Sequence, residues 1–164
     1  MWMVGDEIFV FEPTLREVEA LSDLFSSIMW LGYNHGDHPK EQARPTKRQN
    51  VIPIPLHAVA GGENWRDKLG ILPRLPKLWR TIVSAIRDHH YIHTRGPSVP
   101  ALLAVLFSYL DRPRVYWHKY AGNWKQPNAP LAYSLQRCLL RNCRHSVTVN
   151  GQWPGEPKHI VNFE

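Results

Sequence analysis

Two short segments combine the residue types that a binding site for an anion or a sugar needs. The first is Ile92-His93-Thr94-Arg95-Gly96-Pro97-Ser98, which joins a predicted strand to a predicted buried helix. It offers a guanidinium group, an unhindered backbone at Gly96 and the positive end of a helix beginning near Ser98. Together these features favour a phosphate or a carboxylate. The alternative is a capped turn with Arg95 in solvent.

The second segment covers residues 117–125 and alternates aromatic rings with polar side chains. Ring faces stack on the apolar faces of sugars, and amide and ammonium groups meet their hydroxyls, so the pattern favours a sugar. Its candidate cleft residues are Lys119, Gly122, Asn123 and Trp124. The alternative is that Trp117 and Tyr120 belong to the core and the other residues form a lid.

Familiar motifs for other chemistry are missing from the sequence. Gly61-Gly62 lacks the GxGxxG spacing of dinucleotide-binding proteins, and neither a P-loop nor a GxSxG nucleophile elbow occurs. The segment His35-Gly36-Asp37-His38 contains metal-ligand types but lacks a third spaced ligand. We therefore expect no metal site and no cofactor, and we disfavour kinases, GTPases, nicotinamide dehydrogenases and serine hydrolases.

Strand-like and helix-like segments alternate along the chain, which predicts an α/β protein. The predicted strands are Ile8–Phe11, Ile28–Tyr33, Val51–Leu56 (an edge strand because of Pro53 and Pro55), His90–Thr94, Arg114–His118 and Ser146–Val149. Four helices are predicted. The first begins at Pro13 or Thr14, the second spans Leu75–Asp88, and the third runs from Ser98 (as N-cap) to Leu110. The fourth begins at Pro130 with Asn128 as its cap, and its apolar face contains Leu131, Leu135, Cys138 and Leu139.

Short connections between these segments predict a mostly parallel sheet with helices on both faces, a Rossmann-like three-layer α/β/α domain. Strand-to-helix loops then share one edge of the sheet, where ligands bind in such folds. We therefore expect the two segments to meet in one cleft.

Size and composition predict a single globular domain over residues 1–164. The chain has 164 residues, 43% of them hydrophobic and 21% charged. Its longest apolar stretch, Ala101–Leu110, is shorter than the ~20 residues of a membrane span. The first residues carry Asp6 and Glu7 and do not resemble a signal peptide. We expect neither a secreted nor a membrane-spanning protein.

The net charge of +6 suggests an anionic partner. Nucleic acid, lipid headgroups and phosphorylated ligands all fit, as does a basic surface without a specific role. The spacing of Cys138 and Cys143 does not fit a CxxC motif, so we expect two reduced core thiols in a cytoplasmic protein.

The two candidate segments and the final strand resemble the N-terminal, acceptor-side domain of GT-B glycosyltransferases of the family-4-like group, which build bacterial surface polysaccharides. The resemblance is carried by HYIHTRGPSVPALLAVLFSYLDRPRVYWHKYAGNW and LLRNCRHSVTVNGQWPGEPKHIVNF. It covers residues 14–163, most clearly 88–151, where the final strand ends in Asn150-Gly151.

This resemblance implies transfer of a hexose from a nucleotide-sugar donor to a saccharide or lipid-linked acceptor, with the enzyme in the cytoplasm or at the inner membrane face in contact with anionic lipid. Arg95 would neutralise phosphate, Asn123 and Trp124 would contact sugar, and no catalytic residue is assigned. We expect Trp124→Ala in a full-length enzyme to raise the acceptor KM with little effect on folding.

The chain stops where the family's linker to a donor-binding domain begins, and it contains no E-x7-E donor motif, so we expect a truncated domain that is inactive alone. In this reading no specific binding of nucleic acid is expected. The alternative is a basic α/β module that binds nucleic acid or another anionic polymer, which would show steeply salt-dependent affinity. A third is an interaction domain without catalysis.

Overall fold

The computed structural model describes residues 1–57 and 72–163. The chain divides into two compact units, Met1–Ile71 and Leu72–Glu164. Whether they act as the single domain expected above stays a prediction. Gly61-Gly62 lies outside the described residues.

Over its described residues, 1–57, the first unit contains two small sheets and one helix. Its elements are β1 (Trp2–Val4), β2 (Glu7–Phe11), α1 (Glu12–Ser22), β3 (Ile28–Tyr33), β4 (Ala43–Pro45) and β5 (Val51–Leu56). Strands β1, β2 and β4 form an antiparallel sheet, while β3 and β5 pair in parallel. Val10 and Leu15 pack with Met1 in a small core. The sequence predicted β3 and β5 correctly but missed β1 and β4, which at three residues are too short to show a period.

The described part of the second unit contains three α-helices and a parallel sheet. After a 3-10 turn at Leu72–Arg74 come α2 (Leu75–Arg87), β6 (Tyr91–Gly96), α3 (Val99–Ser108), β7 (Val115–Tyr120), α4 (Leu131–Asn142), β8 (Ser146–Asn150) and β9 (Ile160–Phe163). The four strands lie in the order β6-β7-β8-β9, and every pair is parallel. The prediction of an α/β fold with a parallel sheet is confirmed, although β9 was not predicted.

The crossover helices α3 and α4 lie together on one face of this sheet, where α3 contacts both β6 and α4. Right-handed crossovers between strands that follow chain order place successive helices on the same face. On the opposite face Tyr91, Val115 and Phe163 are exposed. Within the described part of this unit, helices on both faces are therefore not found.

The core of the second unit lies between the sheet and helices α3 and α4. Its members are Val105, Tyr120, Trp124, Leu140, Cys143, Val147, Val149 and Ile160. Of the two thiols only Cys143 is buried, because Cys138 lies on the outer face of α4. The expectation that both belong to the core was wrong.

The ends of α3 and α4 differ from each other in a way that bears on the site. The side-chain oxygen of Ser98 accepts a hydrogen bond from the Ala101 N–H at 3.2 Å, so the predicted N-cap is confirmed. Helix α4 instead follows Pro130 without a side-chain cap, and Asn128 forms a turn with φ 55°. The predicted cap at Asn128 was wrong.

The predicted apolar face of α4 was wrong except at Leu139, which is partly buried against the core. Leu131 is 89% exposed and Leu135 is 48% exposed. The buried residues of the helix are Gln136 and Leu140. The spacing of apolar residues predicted the wrong face of α4, because a polar side chain, Gln136, occupies a position against the sheet.

Candidate functional site

The loops that follow β6, β7 and β8 meet at the carboxyl edge of the parallel sheet. Gly96 at the end of β6 is in register with Tyr120 at the end of β7. The Ala121 N–H donates a hydrogen bond of 2.8 Å to the Gly96 carbonyl. The Asn150 side-chain amide donates one of 3.3 Å to the Ala121 carbonyl. The two sequence segments are thus neighbours, as predicted, and the end of β8 joins them.

Close packing explains the glycines Gly96 and Gly122 of the first two loops. A Cβ added to Gly96 would lie 2.6 Å from the Gln136 side-chain nitrogen, and one added to Gly122 would lie 3.0 Å from Cδ of Pro97. Gly96 is itself buried, so its backbone meets Gln136 of α4 and the β7 loop. These glycines allow the loops to approach each other, and Gly96 is not open to a ligand.

Arg95 and Lys119 lie in strands, where the sequence predicted loops. They are opposite each other in the β6–β7 register and face away from α3 and α4, because alternate residues such as Tyr120 pack on the helices. Lys119 is buried, with its Nζ atom 4.1 Å from the ring centre of Phe163. Arg95 is half-buried. These two cations therefore belong to the face of the sheet rather than to its edge.

The hydroxyl of Ser98 is already used within the protein. It accepts from Ala101 as the helix cap and lies 3.4 Å from the Arg95 carbonyl, to which it donates. This arrangement matches the capped-turn alternative of the sequence analysis as far as Ser98 is concerned.

Trp124 and Asn123 have opposite environments although they are adjacent. Trp124 is 1% exposed and meets the Tyr120 ring edge-to-face, with the ring centres 5.3 Å apart. Its ring faces are therefore not available to a sugar. Asn123 is exposed, and its side-chain oxygen accepts a hydrogen bond of 3.1 Å from the Lys125 N–H. Of the two residues, Asn123 alone presents polar atoms at the surface.

His118 lies under the helices and not at the edge. Its Nδ1 atom is hydrogen bonded to the Thr94 hydroxyl at 2.8 Å. Burial, with smaller contributions from the charges of His145 and His93, lowers the pKa of His118 to about 3. Its Nε2 atom has no hydrogen-bond partner among the residues that the structure describes. We therefore assign this neutral ring to the interior of the unit.

Trp153 is an edge residue that the sequence analysis did not single out. It is half-buried beyond the end of β8, and its ring nitrogen donates to the Asn150 carbonyl at 2.7 Å. A Cβ added to Gly151, which has φ +86°, would lie 3.4 Å from that ring nitrogen. The sequence feature that could have identified Trp153 is an Asn-Gly turn after a strand, followed two residues later by an aromatic side chain.

Across residues 1–57 and 72–163, no three His, Cys, Asp or Glu side chains cluster in a way that could hold a metal ion. In the same ranges, no helix is both long enough and apolar enough to cross a bilayer.

Comparison with known proteins gives no relative from which a role could be transferred. No protein-family model, no curated protein and no solved structure matches this chain.

Proposed function

We propose that the chain supplies the acceptor side of a glycosyltransferase that moves a hexose from a nucleotide-sugar donor to a saccharide or lipid-linked acceptor. The observation that carries the proposal is the meeting of three loops at the carboxyl edge of a parallel sheet, joined through Gly96, Ala121 and Asn150. Ligands of open parallel sheets bind at this edge. The sequence resemblance supports the same reading, and it assigns the donor nucleotide to a second domain.

At this edge, two side chains that are exposed or half-exposed carry groups of the kind that bind sugars. Asn123 presents an amide, and Trp153 presents part of an indole ring. In this proposal Trp153 takes the stacking role that the sequence analysis gave to Trp124. Arg95 remains a candidate for neutralising phosphate, from the face of the sheet.

The proposal also includes the finer fold, a Rossmann-like three-layer domain. It requires a further layer over the face that carries Tyr91, Val115 and Phe163, since helices α3 and α4 already occupy the other face.

The test is binding of hexose-containing oligosaccharides by the full chain, followed through the amide chemical shifts of the loops after β6, β7 and β8. We expect the shifts to change at Asn123 and Trp153, and Asn123→Ala and Trp153→Ala to weaken binding. Arg80→Gln, an exposed change on α2, is the control.

Two results would count against the proposal. One is that no oligosaccharide shifts these loops. The other is that single-stranded nucleic acid binds more tightly than any oligosaccharide and weakens steeply between 50 and 200 mM salt, which is the signature of phosphate neutralisation.

A further inference from the structure

A second candidate site is the groove between the loop after β7 and the outer face of α4. It has a volume of about 520 Å³. Three cationic side chains, Lys125, Arg137 and Arg141, line it together with Ser134 and Cys138. On a helix, residues four apart are neighbours on one face, so Arg137 and Arg141 point in similar directions.

Arg137 is held in place by groups that leave its charge uncompensated. Its Nη1 atom donates to the carbonyls of Trp124 at 2.8 Å and Gln126 at 3.2 Å, and its Nη2 atom donates to the Ser134 hydroxyl at 3.4 Å. Among the described residues, no carboxylate lies within ion-pair distance of Arg137. The guanidinium is therefore oriented in advance, which lowers the entropy lost on binding an anion.

Lys125 and Arg141 add charge from the two sides of the groove. The Lys125 Nζ atom lies 5.5 Å from the ring centre of Trp153, and the Arg141 guanidinium lies 5.2 Å from that of Trp124. Aromatic faces attract cations, so both side chains have a preferred position.

One carboxylate belongs to the same neighbourhood. Arg141 makes hydrogen bonds of 3.0 and 2.8 Å to the two oxygens of Glu156. Burial alone would raise the pKa of Glu156, but the hydrogen bonds of Arg141 and the positive charges of Arg141 and Lys125 together outweigh it and lower that pKa. With Glu156 ionised, the three cations carry two uncompensated positive charges between them.

We infer that this groove binds the dianionic phosphate of a phosphate monoester, with Arg137 and Lys125 as its main ligands. A phosphate monoester carries a charge of about −1.5 to −2 at pH 7, which matches the excess positive charge of the groove. Arg137 uses three of its five N–H groups in the bonds described above, which leaves two to donate to phosphate oxygens, and the Ser134 hydroxyl lies beside it. The inference goes beyond the proposed function and does not depend on it.

Cys138 gives the experiment its readout, because it is exposed in the groove while Cys143 is buried. The alkylation rate of each thiol by iodoacetamide is measured in the full chain with increasing inorganic phosphate, against chloride at equal ionic strength. We expect phosphate to slow alkylation of Cys138 several-fold and to leave Cys143 unchanged. Equal rates in phosphate and chloride would overturn the inference, as would equal slowing of both thiols.

Variants assign the effect to the groove. We expect Arg137→Gln and Lys125→Gln each to weaken phosphate binding about ten-fold, the effect of one lost charge-assisted hydrogen bond. Arg80→Gln removes the same charge elsewhere and should have little effect. Lys125 is exposed, so Lys125→Gln decides the question even if Arg137→Gln fails to fold. Unchanged binding in Lys125→Gln, or equal weakening in Arg80→Gln, would refute the assignment.

The source of the phosphate is distinguished by comparing methyl phosphate with dimethyl phosphate in the same assay. Tighter binding of the monoester supports a small phosphorylated molecule or phosphate itself, and a nucleoside monophosphate that competes more strongly than inorganic phosphate favours the former. Equal or tighter binding of the diester would overturn the inference and indicate the backbone of a nucleic acid or a phospholipid.

Discussion

Replacing Trp124 by alanine tests whether the loop after β7 is part of the core or part of a binding surface. The side chain is 1% exposed. It packs edge-to-face on Tyr120, and Arg141 lies over its ring. At about 25 cal/mol per Å², burial of the about 150–250 Å² of a tryptophan corresponds to about 4–6 kcal/mol. Measured truncations of core aromatic residues cost about 3–5 kcal/mol.

We therefore expect Trp124→Ala to lower the free energy of unfolding by about 3–5 kcal/mol, a large part of the stability of a typical domain. This replaces the earlier expectation of little effect on folding. The assay is urea denaturation followed by far-UV circular dichroism, with comparison of midpoints at a constant m-value.

Trp153→Ala is the matched control, since it removes the same side chain from a half-buried position. Its cost should be clearly smaller than that of Trp124→Ala. A loss below about 1 kcal/mol for Trp124→Ala, within the range of ordinary substitutions, would refute the assignment of this ring to the core.

Two further predictions concern the interior of the second unit. Gly96→Ala should destabilise the protein by about 1–3 kcal/mol because its Cβ would lie 2.6 Å from the Gln136 side chain. Adding Gln136→Ala in the same chain should recover part of this loss. If denaturation of the double variant shows no recovery, the packing argument is contradicted. For His118 the folded pKa is about 3 and lies below its ordinary value of 6.5, so the unfolded state binds more protons and stability falls as the pH is lowered from 6.5 towards 3. The slope from this group approaches about 1.4 kcal/mol per pH unit between pH 6 and 4. His118→Gln should reduce the dependence of stability on pH. Part of the dependence should remain, because burial also lowers the pKa of His145. An unchanged slope would contradict a buried neutral ring at position 118.

Much of the second unit could be predicted because its apolar runs are long and its turns are marked. Helix α2 was predicted to within one residue, since its buried positions recur every three or four residues. Strands β6 and β7 were predicted one residue too early at their start and two residues too early at their end. The cause is that Arg95 and Lys119, which look like loop residues, occupy the face of the sheet without helices.

The candidate site was less predictable than the fold because it depends on which aromatic rings are buried. Residue types alone cannot separate Trp124 in the core from Trp153 at the edge, since both come a few residues after a strand and shortly after an Asn and a Gly. The position of Trp124 depends on Tyr120 and Arg141, and Arg141 comes from an element later in the chain. Likewise, the side chain of Gln136 lies where a side chain at position 96 would otherwise be, since a Cβ added to Gly96 would be 2.6 Å from its nitrogen.

The order of the strands in the second unit also affects how it is made. The sheet is built β6-β7-β8-β9, so each strand pairs with the one synthesised just before it. Native contacts then join segments that are near in the chain, which lowers the contact order and favours rapid folding. A growing chain emerges with its earlier segments first, so β6 and β7 can pair while β8 and β9 are still being translated. Synthesis and assembly of this unit can thus proceed in the same direction, one strand at a time.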